Sequence, residues 1–250
     1  MAERDPVVVL PLAATEQHGP HLPLSTDLDI GMGLLANAIG HLPEDFPAWV
    51  LPPQTVGASR EHERFPGTVS LEPELLGAVI DAYGAALAAC GVRRLVLSNS
   101  HGGNRSALDA AGLRLRDEGA MLVVKTHYFL FPRPTDVDFP DAEWRHGLHG
   151  GAVETSMMLH LCPDLVRKGK IRDAPSRAAD LEQTLRRVTP ESDAASFAWL
   201  AGDLNPSGVV GNASLARPEL GEQLVGHYGK LLAEVIQDAR AFPLDRLSDD

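Results

Sequence analysis

The sequence has few thiols, few basic side chains and no long apolar run. Its 250 residues include two cysteines, and 34 acidic residues outnumber 22 lysines and arginines, for a formal net charge of −12. A surface this negative repels phosphate backbones, so nucleic acid is not an expected partner. Cys90 and Cys162 form no CxxC pair, which indicates buried thiols in a reducing compartment.

The apolar runs are also too short for a membrane span or a secretion signal. A membrane helix needs about 18 continuous apolar residues, whereas the amino terminus has only a six-residue run that proline interrupts. We therefore expect a cytoplasmic protein with no membrane partner. Apolar residues still make up 44% of the chain, which is enough for a core and excludes intrinsic disorder.

Segments typical of strands and helices alternate along the chain. Strands are predicted at Val7–Leu12, Trp49–Pro52, Arg94–Asn99 and Met121–Lys125. Helices are predicted at Ile30–Ile39, Glu72–Cys90, Asn104–Asp117, Gly151–Leu161 and Glu219–Phe242. This order predicts an α/β fold, a single domain over residues 1–250 with a mostly parallel sheet flanked by helices. The polar region 168–196 is expected to lie outside the core.

Two polar clusters follow predicted strands, at the edge of the sheet where ligands bind. In the first, TEQHGPHLPLSTD, Glu16 and His18 are two residues apart, so they point to the same side of an extended chain. Asp27 can return to them if the intervening loop folds back. The second cluster, SNSHGGN, places His101 at a strand end, beside glycines that let a ligand approach the backbone.

A third polar cluster, HGGAVETS, brings His149 and Glu154 to the start of a predicted helix. Carboxylates and imidazoles without a thiolate suit divalent ions such as Zn²⁺, Mn²⁺ or Fe²⁺. A shared aspartate can bridge two such ions, the arrangement that activates water for hydrolysis. The alternative is a structural oligomer in which the histidines are surface features.

Five sequence strings, taken in order, resemble the creatininase (creatinine amidohydrolase) family. They are PLAATEQHGPHLPLSTD, FPGTVSL, NSHGGN, HGGAVETSMML and PSGVVGNASLARPELGE. The resemblance implies one α/β sheet domain, a hydrolytic centre with two divalent metal ions, and a homohexamer.

The resemblance also implies which residues hold the ions. By motif position, Glu16, Asp27 and His101 are the expected ligands of one ion, and His18 and Asp27 those of the second, with Asp27 bridging. Family members that hydrolyse creatinine have Tyr and Glu in place of the Gly-Gly pair of the HGGN string, and that Glu is a ligand. Glu154 is therefore the candidate for the missing carboxylate; the alternative is that the second ion binds weakly.

The expected reaction is attack of a metal-activated water on an amide carbonyl. His149 is expected to carry a proton to the leaving nitrogen, and Glu154 is the second candidate catalytic residue. The residues expected to contact the substrate or the developing oxyanion are Ser59, His62, Gly102, Gly103, Trp144 and Arg145.

The HGGN form indicates a branch of the family other than creatininase itself. We predict a metal-dependent hydrolase of a C–N amide bond in a small or cyclic amide. The alternatives are a peptidase of mycofactocin precursor maturation, a formylaminopyrimidine deformylase, and a non-catalytic scaffold that binds metal.

Overall fold

The structure, a computed structural model, describes residues 4–192 and 194–247, in which strands alternate with helices. The strands are β1 (Val7–Leu12), β2 (Ala48–Val50), β3 (Arg94–Asn99), β4 (Leu122–His127), β5 (Asp173–Ala174) and β6 (Gly211–Asn212). The helices are α1 (Thr26–Gly40), α2 (Pro73–Ala89), α3 (Arg105–Gly119), α4 (Asp141–His146), α5 (Ala152–Leu161), α6 (Ala178–Leu181), α7 (Ala201–Leu204) and α8 (Pro218–Ala241).

Four strands form a parallel sheet in the order β2-β1-β3-β4. β1 pairs with β3 along its whole length, from Val7 opposite Arg94 to Leu12 opposite Asn99. All of β1 is buried, which explains why its sequence is continuously apolar rather than alternating. The chain leaves β1 for β2 on one side and later enters β3 on the other. The switch in topology therefore lies between β1 and β3, where such sheets bind ligands.

Helices cover both faces of the sheet, as predicted. On one face, α1, α5 and α8 pack on alternate residues of β1 such as Val7 and Val9. On the other, α2 and α3 pack on Val8 and Leu10. Within the described ranges, none of the helices is both long and apolar enough to cross a membrane.

The start of α1 differs from the sequence prediction. The helix begins at Thr26 rather than Ile30, and Asp27 and Asp29 lie in its first turn. Acidic side chains are favoured there because the helix dipole is positive at that end. The consequence for function is that a helix, rather than a loop, carries Asp27.

The prediction for the cysteines is wrong. Cys90 is exposed just after α2, and Cys162 is partly exposed after α5, with both thiols free. The apolar stretches that contain them end at these residues, so the thiols lie at helix ends and not inside a core.

The polar region 168–196 lies mainly outside the two cores that flank the sheet, as expected. It also has a role that the sequence did not indicate. Ala178 packs with Leu204 and Val210 in a small apolar cluster, against which Phe197 and Trp199 also pack. Pro190 and Ser196 of this region line the cleft described below.

Candidate metal centre

A cleft of about 1110 Å³ lies at the carboxyl edge of the sheet and collects the polar clusters. Glu16 and His18 come shortly after β1, and His101 comes two residues after β3. All three side chains are buried, so the histidines are not the surface features of the structural alternative. Because β1 and β3 are neighbours, their carboxyl ends bring these residues together.

Asp27 joins the residues that follow β1 to those that follow β3. Its Oδ1 lies 3.3 Å from Nε2 of His18, and its Oδ2 lies 3.4 Å from Nδ1 of His101. The loop between His18 and α1 folds back, which brings Asp27 next to His18. One carboxylate therefore faces both imidazoles.

Glu16 is the second carboxylate shared between side chains. Its Oε2 lies 3.3 Å from Nδ1 of His101 and accepts a hydrogen bond from the hydroxyl of Ser59. Its Oε1 lies 3.6 Å from Nε2 of His62 and 3.6 Å from Nδ1 of His149. Glu16 thus connects three histidines from three different segments.

Glu154, in the first turn of α5, completes the carboxylate set. Its Oε2 accepts a hydrogen bond from the backbone N–H of Gly150 at 2.6 Å and lies 3.9 Å from Nε2 of His18. The start of α5 is held in turn by the buried carboxylate of Glu143, which accepts from the N–H groups of Ala152 and Asn212 at 2.6 and 2.7 Å.

His149 is fixed by backbone and by stacking. Its backbone forms a bridge with Val210. Its ring lies between His18 and His62, with centroid separations of 4.1 and 4.0 Å. The imidazole is buried, yet it lines the cleft.

The charges in this cluster favour cations. Burial alone lowers the pKa of His18, but the carboxylates of Asp27, Glu154 and Glu16 outweigh it and raise this pKa to about 9. Burial likewise opposes the positive charge of His101, whereas Glu16 and Asp27 raise its pKa well above the usual value. The carboxylates therefore favour positive charge in this cluster, and protonated imidazoles supply it here.

In two other groups the pKa shift favours the neutral form. Burial, together with Asp27 and Glu16, raises the pKa of Glu154 to about 7, although His18 opposes this. Burial, together with the neighbouring His62 and His18, lowers the pKa of His149 well below its usual value. His149 is thus a neutral imidazole at neutral pH, able to accept a proton.

The donor atoms fit divalent metal ions. Nε2 of His18 and Oδ2 of Asp27 are buried and lack a hydrogen-bond partner among the described residues, which is costly unless a ligand satisfies them. In three groups of side chains the possible ligand atoms lie within 4.8 Å of one another. The groups are His18 with Asp27 and Glu154, Glu16 with Glu61 and His101, and Glu16 with His18 and His149.

The other residues predicted to contact a substrate lie in two places. Ser59 is fully buried beneath Glu16, whereas His62 lines the cleft. The remaining four also line the cleft, namely Gly102, Gly103, Trp144 and Arg145. Arg145 is exposed and forms an ion pair with Glu182 at 3.2 Å.

Sequence reasoning missed Glu61 and Gln17. Oε1 of Glu61 lies 3.4 Å from Nε2 of His101, and the buried amide of Gln17 lies against His62 and His149. Gln17 stands between two predicted ligands in the sequence, and this position is a signal for it. Glu61 precedes His62 in an ordinary polar segment and carries no comparable signal.

Comparison with known proteins agrees with this geometry. A model of the creatininase family, described as creatinine amidohydrolase, matches residues 1–236. The mycofactocin precursor peptide peptidase of Mycobacterium ulcerans is 34% identical, over 93% of this chain and 82% of its own length. The creatinine amidohydrolase of Pseudomonas putida is 32% identical, over 70% of this chain and 72% of its own.

Solved structures agree as well. A structure titled as the Mn form of creatininase has a TM-score of 0.74 and 28% identity, and the match covers 94% of this chain and 91% of that one. A mutant creatininase described as the Zn-Zn type has a TM-score of 0.73 and 28% identity, and the match covers 95% and 92%. With matches over nearly all of its length, the chain belongs to the creatininase family.

Proposed function

We propose that this protein is a metal-dependent hydrolase that cleaves a C–N amide bond in a short peptide. The observation that carries the proposal is a buried cluster of carboxylates and imidazoles at the floor of a cleft of about 1110 Å³. Pockets for small ligands typically measure about 300–1,000 Å³. The cleft is thus large enough for a short peptide, and relatives named as peptide peptidases support the same substrate class.

We propose that two divalent ions, Zn, Mn or Fe, bind here. Glu16, Asp27 and His101 would hold one ion, and His18, Asp27 and Glu154 the other, with Asp27 shared. Ser59 would orient Glu16 through the hydrogen bond to its Oε2. When bound, such ions lower the pKa of water toward neutrality and polarise a carbonyl group.

The chain's own groups would supply proton transfer and orientation. Nδ1 of His149 faces Glu16 at 3.6 Å, so this neutral imidazole can take a proton inside the cleft and pass it to the leaving nitrogen. Glu154, whose pKa burial raises to about 7 when no ion is bound, is the second group that could exchange a proton there while its carboxylate is free of the ion. Backbone N–H groups at Gly102 and Gly103 would donate to the developing oxyanion.

Chelation tests the proposal directly. Removal of divalent ions should abolish hydrolysis of short peptides, and each of Zn²⁺, Mn²⁺ and Fe²⁺ should then be tried for recovery. Metal per chain is measured by plasma mass spectrometry beside turnover on dipeptides, creatinine and formamides. Full activity in metal-free protein would overturn the mechanism, and activity on creatinine alone would overturn the peptide assignment.

Gly103 gives a second test, because its lack of a side chain makes room for the partners of His101. A Cβ at this position would lie 2.6 Å from Oε1 of Glu61 and 2.7 Å from Nε2 of His101, and would also meet the carbonyl oxygen of Ala58. That carbonyl oxygen accepts from Nε2 of His101 at 3.0 Å and leaves Nδ1 to face the carboxylates. Gly103→Ala should therefore turn the ring and lower metal affinity by about tenfold or more, the usual cost of disturbing such outer partners.

Gly102→Ala is the matched control for metal affinity. A Cβ at Gly102 has no heavy atom within 4 Å, so the affinity measured by competition with a fluorescent chelator should stay at the wild-type value. Equal losses in the two variants would mean that the pair matters for backbone flexibility and not for the placement of His101.

The homohexamer, the cytoplasmic location and the single domain over residues 1–250 stay predictions of the sequence analysis.

A further inference from the structure

The side-chain amide of Gln17 has a fixed orientation. Its Nε2 donates to the carbonyl oxygen of Gly208 at 3.0 Å, and its Oε1 accepts from the N–H of Gly19 at 2.9 Å. Rotation of the amide by a half turn would set oxygen against oxygen and N–H against N–H. Both partners are backbone groups whose polarity cannot change, and the amide is buried.

This orientation determines where His62 carries its proton. Nε2 of Gln17 lies 2.9 Å from Nδ1 of His62 and can only donate, so Nδ1 must accept. A neutral ring then has its proton on Nε2, the atom that lies 3.6 Å from Oε1 of Glu16. His62 therefore presents an N–H group to the metal centre.

The backbone of Gln17 determines the proton of His149 in the same way. Nε2 of His149 lies 2.6 Å from the carbonyl oxygen of Gln17, which can only accept. The same nitrogen is 3.2 Å from Nε2 of Gln17, but the two hydrogens of that amide are directed to Gly208 and His62. His149 thus donates through Nε2 and keeps a lone pair on Nδ1, which also faces Oε1 of Glu16, at 3.6 Å.

We propose that Gln17 is a positioning residue that gives these two stacked imidazoles different tasks. Both rings carry the proton on Nε2, but they face the site with different nitrogens. His149 offers a lone pair that can accept a proton, and His62 offers an N–H that donates a hydrogen bond to the substrate's amide oxygen and keeps its proton. This division of roles rests on the proposed amide hydrolysis, whereas the tautomers themselves do not.

Nitrogen NMR of the full chain tests the tautomers without an activity assay. In zinc-loaded protein labelled with ¹⁵N-histidine, two-bond correlation spectra should show His62 and His149 both protonated at Nε2. Gln17→Met removes the donor to His62, so the His62 pattern should become a mixture of tautomers while His149 keeps its own. Gln17→Glu replaces the donor by an acceptor and should bring a proton to Nδ1 of His62.

Turnover then shows whether the tautomer matters. We expect Gln17→Met to lower kcat by about tenfold or more, with KM changed less and metal per chain unchanged. Gln54→Met is the matched control. The Gln54 amide likewise donates to a backbone carbonyl oxygen, that of Val56, and in the described part of the chain it makes no hydrogen bond to either histidine. It should leave both spectra and kcat as in the wild type.

Three outcomes overturn the proposal. They are a wild-type His62 protonated at Nδ1, a His62 tautomer that Gln17→Met and Gln17→Glu both leave unchanged, or a shifted tautomer with unchanged kcat. If Gln17→Met does not fold, the wild-type spectrum and Gln17→Glu still decide the first two. Tautomers as proposed in a protein that cleaves no amide would refute the proposed function and leave the positioning role of Gln17 in place.

Discussion

Asp27→Asn should yield a folded protein that has lost both its metal ions and its activity. Asp27 is buried, and its two oxygens face His18 and His101 at 3.3 and 3.4 Å, so it is the one carboxylate shared by both proposed ion sites. An amide keeps the shape but replaces one anionic oxygen by an N–H donor that cannot bind a cation. The loss of activity should exceed the roughly 10–100-fold cost of removing an outer-shell partner.

Metal per chain, turnover and the far-ultraviolet circular dichroism spectrum measure this result together. Asp29→Asn is the matched control, because Asp29 lies in the same first turn of α1 but its carboxylate accepts from Ser25 at 2.7 Å, outside the cluster. That variant should keep its metal and its turnover. Retention of about two ions per chain in Asp27→Asn would refute the bridging role.

The sheet and the main ligand set could be predicted because each element carries its own signal. β1 is a continuous apolar run and β3 contains the apolar run Leu95–Leu97, and a parallel sheet brings the residues after such strands to one edge. Glu16 and His101 are therefore neighbours in space for a reason that the sequence alone contains. The family resemblance added the pairing of ligands, which spacing alone left open.

The surroundings of the ligands could not be predicted because they depend on contacts between distant segments. Glu61 reaches His101 across 40 positions of sequence, and Gln17 reaches Gly208 across 191. Glu143 holds two backbone N–H groups that belong to separate elements. Glu61 and Glu143 have no periodic or motif signal. Gln17 lies inside a motif, but its contacts, like theirs, follow from loop conformations that tertiary packing decides.

The correction at α1 has the same origin. The polar residues of TEQHGPHLPLSTD favour a loop when read locally, and the apolar pattern of a helix starts only at Ile30. Tertiary structure extends the helix backward to Thr26, which is fully buried and whose N–H bonds to the carbonyl oxygen of Pro23. The ligand Asp27 thereby gains a rigid support.

His149→Ala should lower kcat by about 10²- to 10⁴-fold, the usual contribution of a general acid–base group, with metal content kept. The reason is geometric as well as electrostatic. Its Nδ1 lone pair faces the cluster, and its pKa lies well below the usual value because burial and two neighbouring imidazoles oppose the positive charge. The neutral ring is thus ready to accept a proton and too weak a base to retain it.

His146→Ala provides the control for His149→Ala. His146 is the last residue of α4, three positions before His149, but it pairs with Glu182 at 3.4 Å. The change should leave kcat within about twofold of the wild type. Added imidazole should partly restore His149→Ala, because the substitution opens a space between the rings of His18 and His62 that the free base can enter. Loss of metal from His149→Ala would lead to a different conclusion. Glu16, His18 and His149 would then be a true ligand set, and Glu154 would be the remaining candidate to carry the proton.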